Sequence, residues 1–551
     1  MSGSINSIAN YSIASLRYAL AGVLFCVAGH LAAQTMAREI PVPLPPMGWS
    51  SWNSFSNSVD STIIMNQARA MAANGMQKAG YQYINIDEGW WLGKRDKDGN
   101  IIVDPKAWPA LASGEHDGDM ANIARYIHGL GLKAGIYTDA GLNGCSTVGP
   151  DLGPSIPFTG SEGHYEQDFL QFAQWGFDYV KVDWCGGVKE NLDPAVQYAE
   201  IARAIGRAET ITGHRLYFSI CNWGKDSPST WAPNIGGVAA DIWRTGGDIV
   251  APIVANTKNA DRKAEFKEVL REFDQAQHPE AQHTGFYNDP DMMVVGMPGL
   301  TDEQNRAHMS LWAISGGPLL VGADLTRLSA ADLATLTNPD VLRVDQDSLG
   351  LQCIKVANAA PGLEVWAKPL SAQGEYALLL LNRTASTAPI TVTWSDLGLR
   401  PDSSATVRDI WAQSNLGTFT SSYSAPVPAH DVVLLLITGS ESASTTYLPQ
   451  TGNRNAAVLH SAMPEQHFAN VVSKFPVARI RVTYTNPGPT TSFAELRVNG
   501  QIATRIAFPP TASTAGTISI ESGLETDGAE NTLNFSVHGG QELTIRSIAL
   551  Q

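Results

Sequence analysis

Between residues 47 and 324 the chain repeats one unit: a short run of β-branched or aromatic residues, a loop, then apolar positions at helical spacing. Eight runs read as strands: Met47 to Trp52, Tyr81 to Asp87, Lys133 to Asp139, Asp178 to Asp183, Arg215 to Asn222, Ala240 to Arg244, Gly285 to Asp289 and Pro318 to Gly322. Between them, Ser61 to Lys78, Met120 to Leu130, Tyr165 to Trp175, Pro194 to Ala208, Arg262 to Gln277 and Thr301 to Ile314 predict helices. Strand and helix alternating eight times predict an α/β fold, a (β/α)8 TIM barrel over residues 41–350. After residue 350 the pattern turns to short alternating runs such as Tyr376 to Leu381, Ile390 to Trp394 and Val432 to Ile437. These predict an antiparallel β domain over residues 351–440. The Ser-, Thr- and Gly-rich tract Thr438 to Asn455 reads as a linker. Beyond it, residues 456–551 carry strand runs at Ala478 to Tyr484, Ala494 to Val498, Thr517 to Ile520, Thr532 to Val537 and Leu543 to Leu550, the pattern of a β-sandwich or jelly-roll.

Length agrees with this division, since 551 residues exceed what one hydrophobic core serves. The balance of 53 acidic against 37 basic residues disfavours nucleic acid and anionic membranes and suits a neutral partner such as sugar. At the N-terminus Arg17, the apolar run Tyr18 to Gly29 and small residues at Ala32, Ala33 and Ala37 have the layout of a signal peptide over residues 1–37. The expectation is a secreted or periplasmic protein. The apolar run falls short of the roughly 20 residues a bilayer span needs, so no membrane attachment is expected after cleavage. Cys26 would leave with the signal, and Cys145, Cys185, Cys221 and Cys353 remain. Export favours a disulfide among them. Closely spaced Cys/His pairs are absent from the sequence, so no metal site is expected. Asp96-Lys97-Asp98-Gly99-Asn100 has half the pattern of a calcium loop, but Ala107 stands where the liganding glutamate belongs, and a hairpin turn is the better reading.

A TIM barrel carries its chemistry at the C-terminal ends of its strands, and several of these runs end in Asp, Asn, Arg or Trp. Hydrolysis of a glycoside with retention needs two carboxyl groups about 5 to 5.5 Å apart. In Asp178-Tyr179-Val180-Lys181-Val182-Asp183, Lys181 and Asp183 are two apart and share one face of a strand. Asp183 is the candidate nucleophile, with Lys181 expected to hold its pKa low and to donate to substrate hydroxyls. The alternative is a solvated Lys-Asp pair. In Trp243-Arg244-Thr245-Gly246-Gly247-Asp248 the two glycines allow a tight turn that aims Asp248 over the barrel mouth as acid/base, with Arg244 as a donor; alone, this segment reads equally as a polar loop.

Pro45-Pro46-Met47-Gly48-Trp49-Ser50-Ser51-Trp52-Asn53-Ser54-Phe55 resembles the opening signature of glycoside hydrolase family 27, the α-galactosidases and α-N-acetylgalactosaminidases. The likeness continues in order through Ile84-Asn85-Ile86-Asp87, Gly135-Ile136-Tyr137-Thr138-Asp139, Lys181-Val182-Asp183, Trp243-Arg244 and Asn288-Asp289-Pro290-Asp291-Met292, spanning residues 45 to about 440. The resemblance implies a cofactor-free retaining exo-hydrolase in which Asp183 is the nucleophile and Asp248 the acid/base. It also implies a sugar pocket lined by Trp52, Asp87, Glu88, Tyr137, Lys181, Asn222, Arg244 and Asp291, and a disulfide between Cys145 and Cys185. Cys221 matches a family cysteine without an evident partner. From spacing alone Asp291 reads as a turn former. In the third domain, Val482 to Asn486, Val498-Asn499-Gly500 and Asn531-Thr532-Leu533 resemble carbohydrate-binding modules, against the alternative of a purely structural sandwich.

Two departures from the family pattern bear on the sugar. Typical α-galactosidases end the second strand in Asp-Asp, a pair that receives the axial 4-hydroxyl and the 6-hydroxyl of galactose; here the pair is Asp87-Glu88. The extra methylene would push the Glu88 carboxylate into the space of the C6 hydroxymethyl, as in family members that act on β-L-arabinopyranosides, unless Glu88 rotates aside onto another loop. Asn222 replaces a glutamate of many α-galactosidases; it is not small, which disfavours N-acetylgalactosamine. The expected partners are therefore oligosaccharides or polysaccharides bearing terminal galactose or arabinopyranose. The alternative from another class is a secreted, non-catalytic carbohydrate-binding protein.

Overall fold

Eight short parallel strands follow one another around one sheet: β1 Met47–Ser50, β2 Tyr83–Asn85, β3 Lys133–Asp139, β4 Tyr179–Asp183, β5 Tyr217–Cys221, β6 Ile242–Arg244, β7 Tyr287–Asp289 and β8 Leu319–Val321. Each pairs with its sequence neighbour, β8 pairs with β1, and the parallel bridge between Met293 and Val321 joins the chain leaving β7 to β8, closing the barrel. The computed structural model describes residues 38–39, 44–109, 120–145, 159–234, 240–250, 263–282, 285–450, 465–512, 514–537 and 542–550; the expected signal segment lies outside them. Among the described residues no helix is long and apolar enough to cross a membrane.

In β4, Tyr179, Lys181 and Asp183 share a face. Tyr179 packs with Tyr83, Tyr217, Tyr287 and Ile242 in one buried cluster, so this face looks into the barrel and carries Lys181 and Asp183 up its inner wall. The register sets Asp139 beside Asp183 beside Cys221 at the C-terminal rim.

The outer helices start and stop where local chemistry dictates. Asp193 caps the helix Pro194–Thr212 by accepting from Val196 N, proline takes its first turn, and Gly213 ends it in the left-handed region. Thr301 and Gln304 form a capping box on Asp302–Ser315. The helix expected over 61 to 78 is split into Ser61–Ala73 and Met76–Ala79, because Gly75, at φ 97°, breaks the first and begins the second. The Asp96 to Asn100 segment is a hairpin turn between Trp91–Arg95 and Ile101–Val103: Asp96 Oδ1 accepts from the backbone N of Asp98 and Asn100, each at 2.9 Å.

Downstream lies an antiparallel six-stranded sheet in the order Ile354–Ala360, Leu363–Pro369, Glu375–Asn382, Asp431–Thr438, Ser404–Asp409, Ser414–Thr420, with the pair Ala388–Thr393 and Ser422–Val427 beside it. Its ties to the barrel helices include Arg383 to Asp274 at 2.6 Å and Trp411 Nε1 to Ser310 Oγ at 2.8 Å. The C-terminal unit has one sheet centred on Val477–Thr485, flanked by Gly516–Gly523 and Thr544–Leu550, and a second built from Glu465–Val471, Asn531–Val537, Ser492–Val498 and Gln501–Phe508. Residues of both sheets, among them Ile480, Val482, Ile520, Leu496, Phe508 and Phe535, form its single core. The tract expected to be a linker contains a strand, Thr445–Tyr447, that extends the first sheet by pairing with Thr544–Leu550. A short Thr-Thr-Tyr run after a Ser-rich stretch gives too little periodicity to be distinguished from a linker.

Candidate functional site

The C-terminal ends of the barrel strands surround a cavity of about 190 Å³, lined by Trp52, Asn53, Asp87, Glu88, Cys145, Lys181, Asp183, Cys185, Trp223, Arg244, Asp248, Asp291 and Met292. Ten of the twelve residues expected at the site are in this wall. The other two, Tyr137 and Asn222, lie behind it. Tyr137 is buried, with its ring 5.2 Å from Lys181 Nζ and its hydroxyl without a hydrogen-bond partner among the described residues. Asn222 is fully buried and spends its amide on Lys225 O at 2.7 Å, so the next residue, Trp223, in the left-handed region at φ 56°, supplies the wall there.

Asp183, with 7% of its side chain exposed, accepts from the backbone N of Trp184 at 3.0 Å and stands 3.7 Å from Lys181 Nζ. Lys181 is closer to Asp87, at 2.9 Å, and Asp87 is fixed in turn by its backbone N donating to Ser51 Oγ. Burial opposes the charge on Lys181, but Asp87 and the other nearby anionic groups more than offset it and keep the ammonium protonated. The expected lowering of the Asp183 pKa by Lys181 does not win. Burial pushes the carboxyl up, Lys181 pulls it down, and Asp87 and Asp248 push it up again, to about 6. The candidate nucleophile must be ionised to act, so in that role of Asp183 kcat/KM, which reports the free enzyme, is expected to fall as pH drops through about 6. A pH profile flat from 7 down to 5 would contradict this.

Asp248 has the opposite setting, with 39% of its side chain exposed on the cavity rim. Its loop is held on both sides: Arg271 Nη2 donates to Asp248 O at 2.8 Å, and Ile249 N donates to Asp291 Oδ2 at 2.8 Å. Arg244 bridges the two acids, 3.0 Å from Asp291 Oδ1 and 3.3 Å from Asp248 Oδ1. The glycines before Asp248 do not serve through unusual φ. A Cβ on Gly246 would come within 2.2 Å of Gln275 Oε1 and 2.3 Å of Glu272 Oε2, so the ends of these two side chains lie close against the glycine. Asp291 is both turn former and wall: it sits at φ 82° and its Oδ1 accepts from Met292 N at 2.7 Å while facing Arg244.

Cys145 and Cys185 form a disulfide, while Cys221 and Cys353 are free and buried. Asp139, which spacing alone did not single out, supports this corner: its carboxylate accepts from the backbone N of Gly141 at 2.7 Å, Cys185 at 2.7 Å and Gly186 at 3.0 Å. It thereby fixes the turn that follows the candidate nucleophile. The closest gathering of Asp and Cys side chains among the described residues is Asp139, Cys145, Asp183 and Cys185, whose two sulfur atoms are already bonded to each other.

The arrangement, two carboxyl groups of contrasting exposure on one small cavity with a Lys and an Arg between acids, fits acid/base and nucleophilic work on a neutral polyhydroxylated ring. Comparisons with known proteins agree with it. Residues 44–347, more than half of the chain, match the profile described as Alpha galactosidase A; residues 360–437 match the Alpha galactosidase C-terminal beta sandwich domain, and residues 466–545 match the Alpha-galactosidase, CBM13 domain. The chain is 39% identical over 402 residues to Alpha-galactosidase A of Cellvibrio japonicus, covering 71% of this chain and 91% of that protein. It is 38% identical over 394 residues to the Alpha-galactosidase of Coffea arabica, covering 72% and 93%. In structure it is similar to alpha-galactosidase I from Mortierella vinacea, with a TM-score of 0.62 at 28% identity over 73% of this chain and 98% of that one. The chain belongs to the α-galactosidase family of glycoside hydrolases, family 27.

Proposed function

We propose that this hydrolase releases terminal non-reducing α-D-galactosyl residues by double displacement, with Asp183 as nucleophile and Asp248 as acid/base. The observation that carries this reading is the contrast between the two carboxyl groups on one cavity. Asp183 is buried and faces a fixed ammonium, the setting of a group that attacks an anomeric carbon away from water; Asp248 is on the rim, where it can exchange protons with solvent. Asp248 protonates the departing glycosidic oxygen as Asp183 closes on the anomeric carbon. It then takes a proton from the water that cleaves the galactosyl ester, so two inversions give net retention. Lys181, Asp87 and Arg244 offer paired donors and acceptors to ring hydroxyls, and Trp52 offers an aromatic face to the apolar side of the ring.

Glu88 decides how much room a sixth carbon has. Its carboxylate reaches toward the loop at Gly144, where a Cβ would lie 2.4 Å from Oε1, and this supports a cavity open to the hydroxymethyl of galactose. β-L-Arabinopyranosides, which lack that group, are the second reading, because Glu88 is itself part of the cavity wall. Hydrolysis of nitrophenyl α-D-galactopyranoside and β-L-arabinopyranoside separates them. The wild type is expected to favour the galactoside, and Glu88→Asp to raise the galactoside-to-arabinopyranoside ratio of kcat/KM by up to about tenfold. A wild type that prefers the arabinopyranoside would count against the galactoside reading, and an unchanged ratio in the variant against a part for Glu88 in the choice. The layout of residues 1–37 and the Cys145–Cys185 disulfide further support export to an oxidising compartment, which N-terminal sequencing of protein recovered outside the cytoplasm would test.

A further inference from the structure

We propose that Arg271, which is not part of the cavity wall, is a positioning residue for the acid/base: its guanidinium fixes the main chain at Asp248 and so keeps that carboxyl over the cavity rim. The inference rests on the reading of Asp248 as the acid/base. The turn Gly246-Gly247-Asp248 presents three consecutive carbonyls to two guanidinium groups. Arg244 Nη2 donates to Gly246 O at 3.1 Å and to Gly247 O, and Arg271 Nη2 donates to Asp248 O at 2.8 Å. Arg244 comes from the sugar side, and its donors are divided among this turn, Asp291 and the cavity. Arg271 comes from the helix Phe266–Gln275, outside the cavity, so a bound sugar does not compete for its bond to Asp248 O.

Residues of its own helix aim the Arg271 fork. Nε pairs with Glu268 Oε2 at 2.6 Å, and Nη1 pairs with Glu272 Oε1 at 2.6 Å and reaches Gln275 Oε1 at 3.1 Å, which leaves Nη2 for the loop. An ordinary surface network along one helix needs only the partners three and four residues away. Here the guanidinium reaches past them to a main-chain carbonyl 23 residues away, and the two glycines bring the loop close: a Cβ on Gly247 would lie 3.2 Å from Arg271 Nη1. A planar fork can hold its helical partners and still reach the loop, which the single ammonium of a lysine cannot. The Asp248 side chain is 39% exposed and 3.3 Å from Arg244, so the hold on its main chain, more than packing around the side chain, sets where the carboxyl stands. That placement matters because a general acid must lie within hydrogen-bond reach of the oxygen it protonates.

The test measures kcat and KM on an α-galactosyl oligosaccharide and on dinitrophenyl α-D-galactopyranoside in the wild type, Arg271→Met, Asp248→Ala and the double variant. Arg271→Met is expected to lower kcat/KM on the oligosaccharide by about 10- to 100-fold, the scale of a catalytic group misplaced by about 1 Å. On the dinitrophenyl galactoside, whose leaving group departs without a proton, kcat/KM should stay within about threefold while kcat and KM fall together, because the Asp248 carboxylate is also needed to deprotonate water in the second step. In the Asp248→Ala background Arg271→Met should cost no more than about twofold, since no carboxyl remains to be placed. Equal losses on the two substrates, no change on either, or an undiminished further loss in the Asp248→Ala background would overturn the proposal. The variant should fold, because 35% of the Arg271 side chain is exposed and the buried Glu272, its carboxyl pushed up to about 8 by burial, can take a proton when the guanidinium is gone. If thermal unfolding shows otherwise, Arg271→Lys carries the same test: it keeps a charge beside Glu268 and Glu272 but lacks the fork that also reaches Asp248 O, so the same split between substrates is expected and its absence overturns the proposal. An Asp248→Ala enzyme without the leaving-group split would defeat the acid/base reading and this inference with it, whereas that split in Asp248→Ala but not in the Arg271 variant would defeat this inference alone.

Discussion

Replacing Asp183 with alanine is expected to lower kcat/KM on an α-galactoside by about 10⁴-fold or more, some 5.5 kcal/mol of transition-state stabilisation, while leaving the fold intact. The size follows from the role, since without the carboxylate no covalent intermediate forms and water must attack the glycoside unaided. The fold should survive because the substitution removes a burdened group. The carboxyl is buried, its pKa is driven up to about 6 by burial and by Asp87 and Asp248, and Lys181 keeps its closer partner Asp87 when Asp183 is gone. Thermal unfolding beside kinetics separates lost chemistry from lost structure. An alanine variant that keeps more than about a hundredth of wild-type activity would remove Asp183 from the nucleophile's place.

Asp248→Ala should show a different signature, because its loss depends on the leaving group. General acid catalysis is worth about 10² to 10⁴-fold where the departing oxygen needs a proton. A natural oligosaccharide should therefore lose that much, and an activated dinitrophenyl galactoside much less on the first step. The geometry supports a local effect. The Asp248 side chain is on the rim, while its loop is anchored through main-chain groups, Arg271 to Asp248 O and Asp291 to Ile249 N, neither of which the substitution removes. Equal losses on activated and unactivated substrates would assign Asp248 a positioning role instead.

The barrel was legible in the sequence because its strands are short apolar runs separated by helices of unambiguous period; the expected run Lys133 to Asp139 coincides with β3, and Asp178 to Asp183 overlaps β4 from Tyr179. Lys181 and Asp183 could be placed on one inward face by the two-residue repeat alone. What sequence could not supply was the balance of opposing effects at that face. Proximity of Lys181 suggested a lowered Asp183 pKa, but the degree of burial and the competing claim of Asp87 on the ammonium emerge only when β2 and β4 are brought together. Asn222 was expected in the sugar pocket because the family resemblance implies it there. The chain turns through φ 56° at Trp223, folding the amide onto Lys225 O and presenting the indole instead. A positive φ at tryptophan leaves no signature in composition or spacing. Gly246 likewise announced a turn, and only the structure brings Glu272 and Gln275 of the helix Phe266–Gln275 against it. Glu88 shows the same limit: its extra methylene could be read, but not that its carboxylate lies against Gly144, more than fifty residues away in sequence.

Double displacement requires a covalent intermediate at Asp183. Incubation with a fluorinated galactosyl fluoride that forms the intermediate faster than it is hydrolysed, followed by proteolysis and mass spectrometry, is expected to add one fluorogalactosyl group to the peptide carrying Tyr179 to Asp183, with the ester on Asp183. A label on Asp248 or any other residue, or an unlabelled enzyme that releases product of inverted configuration, would contradict it.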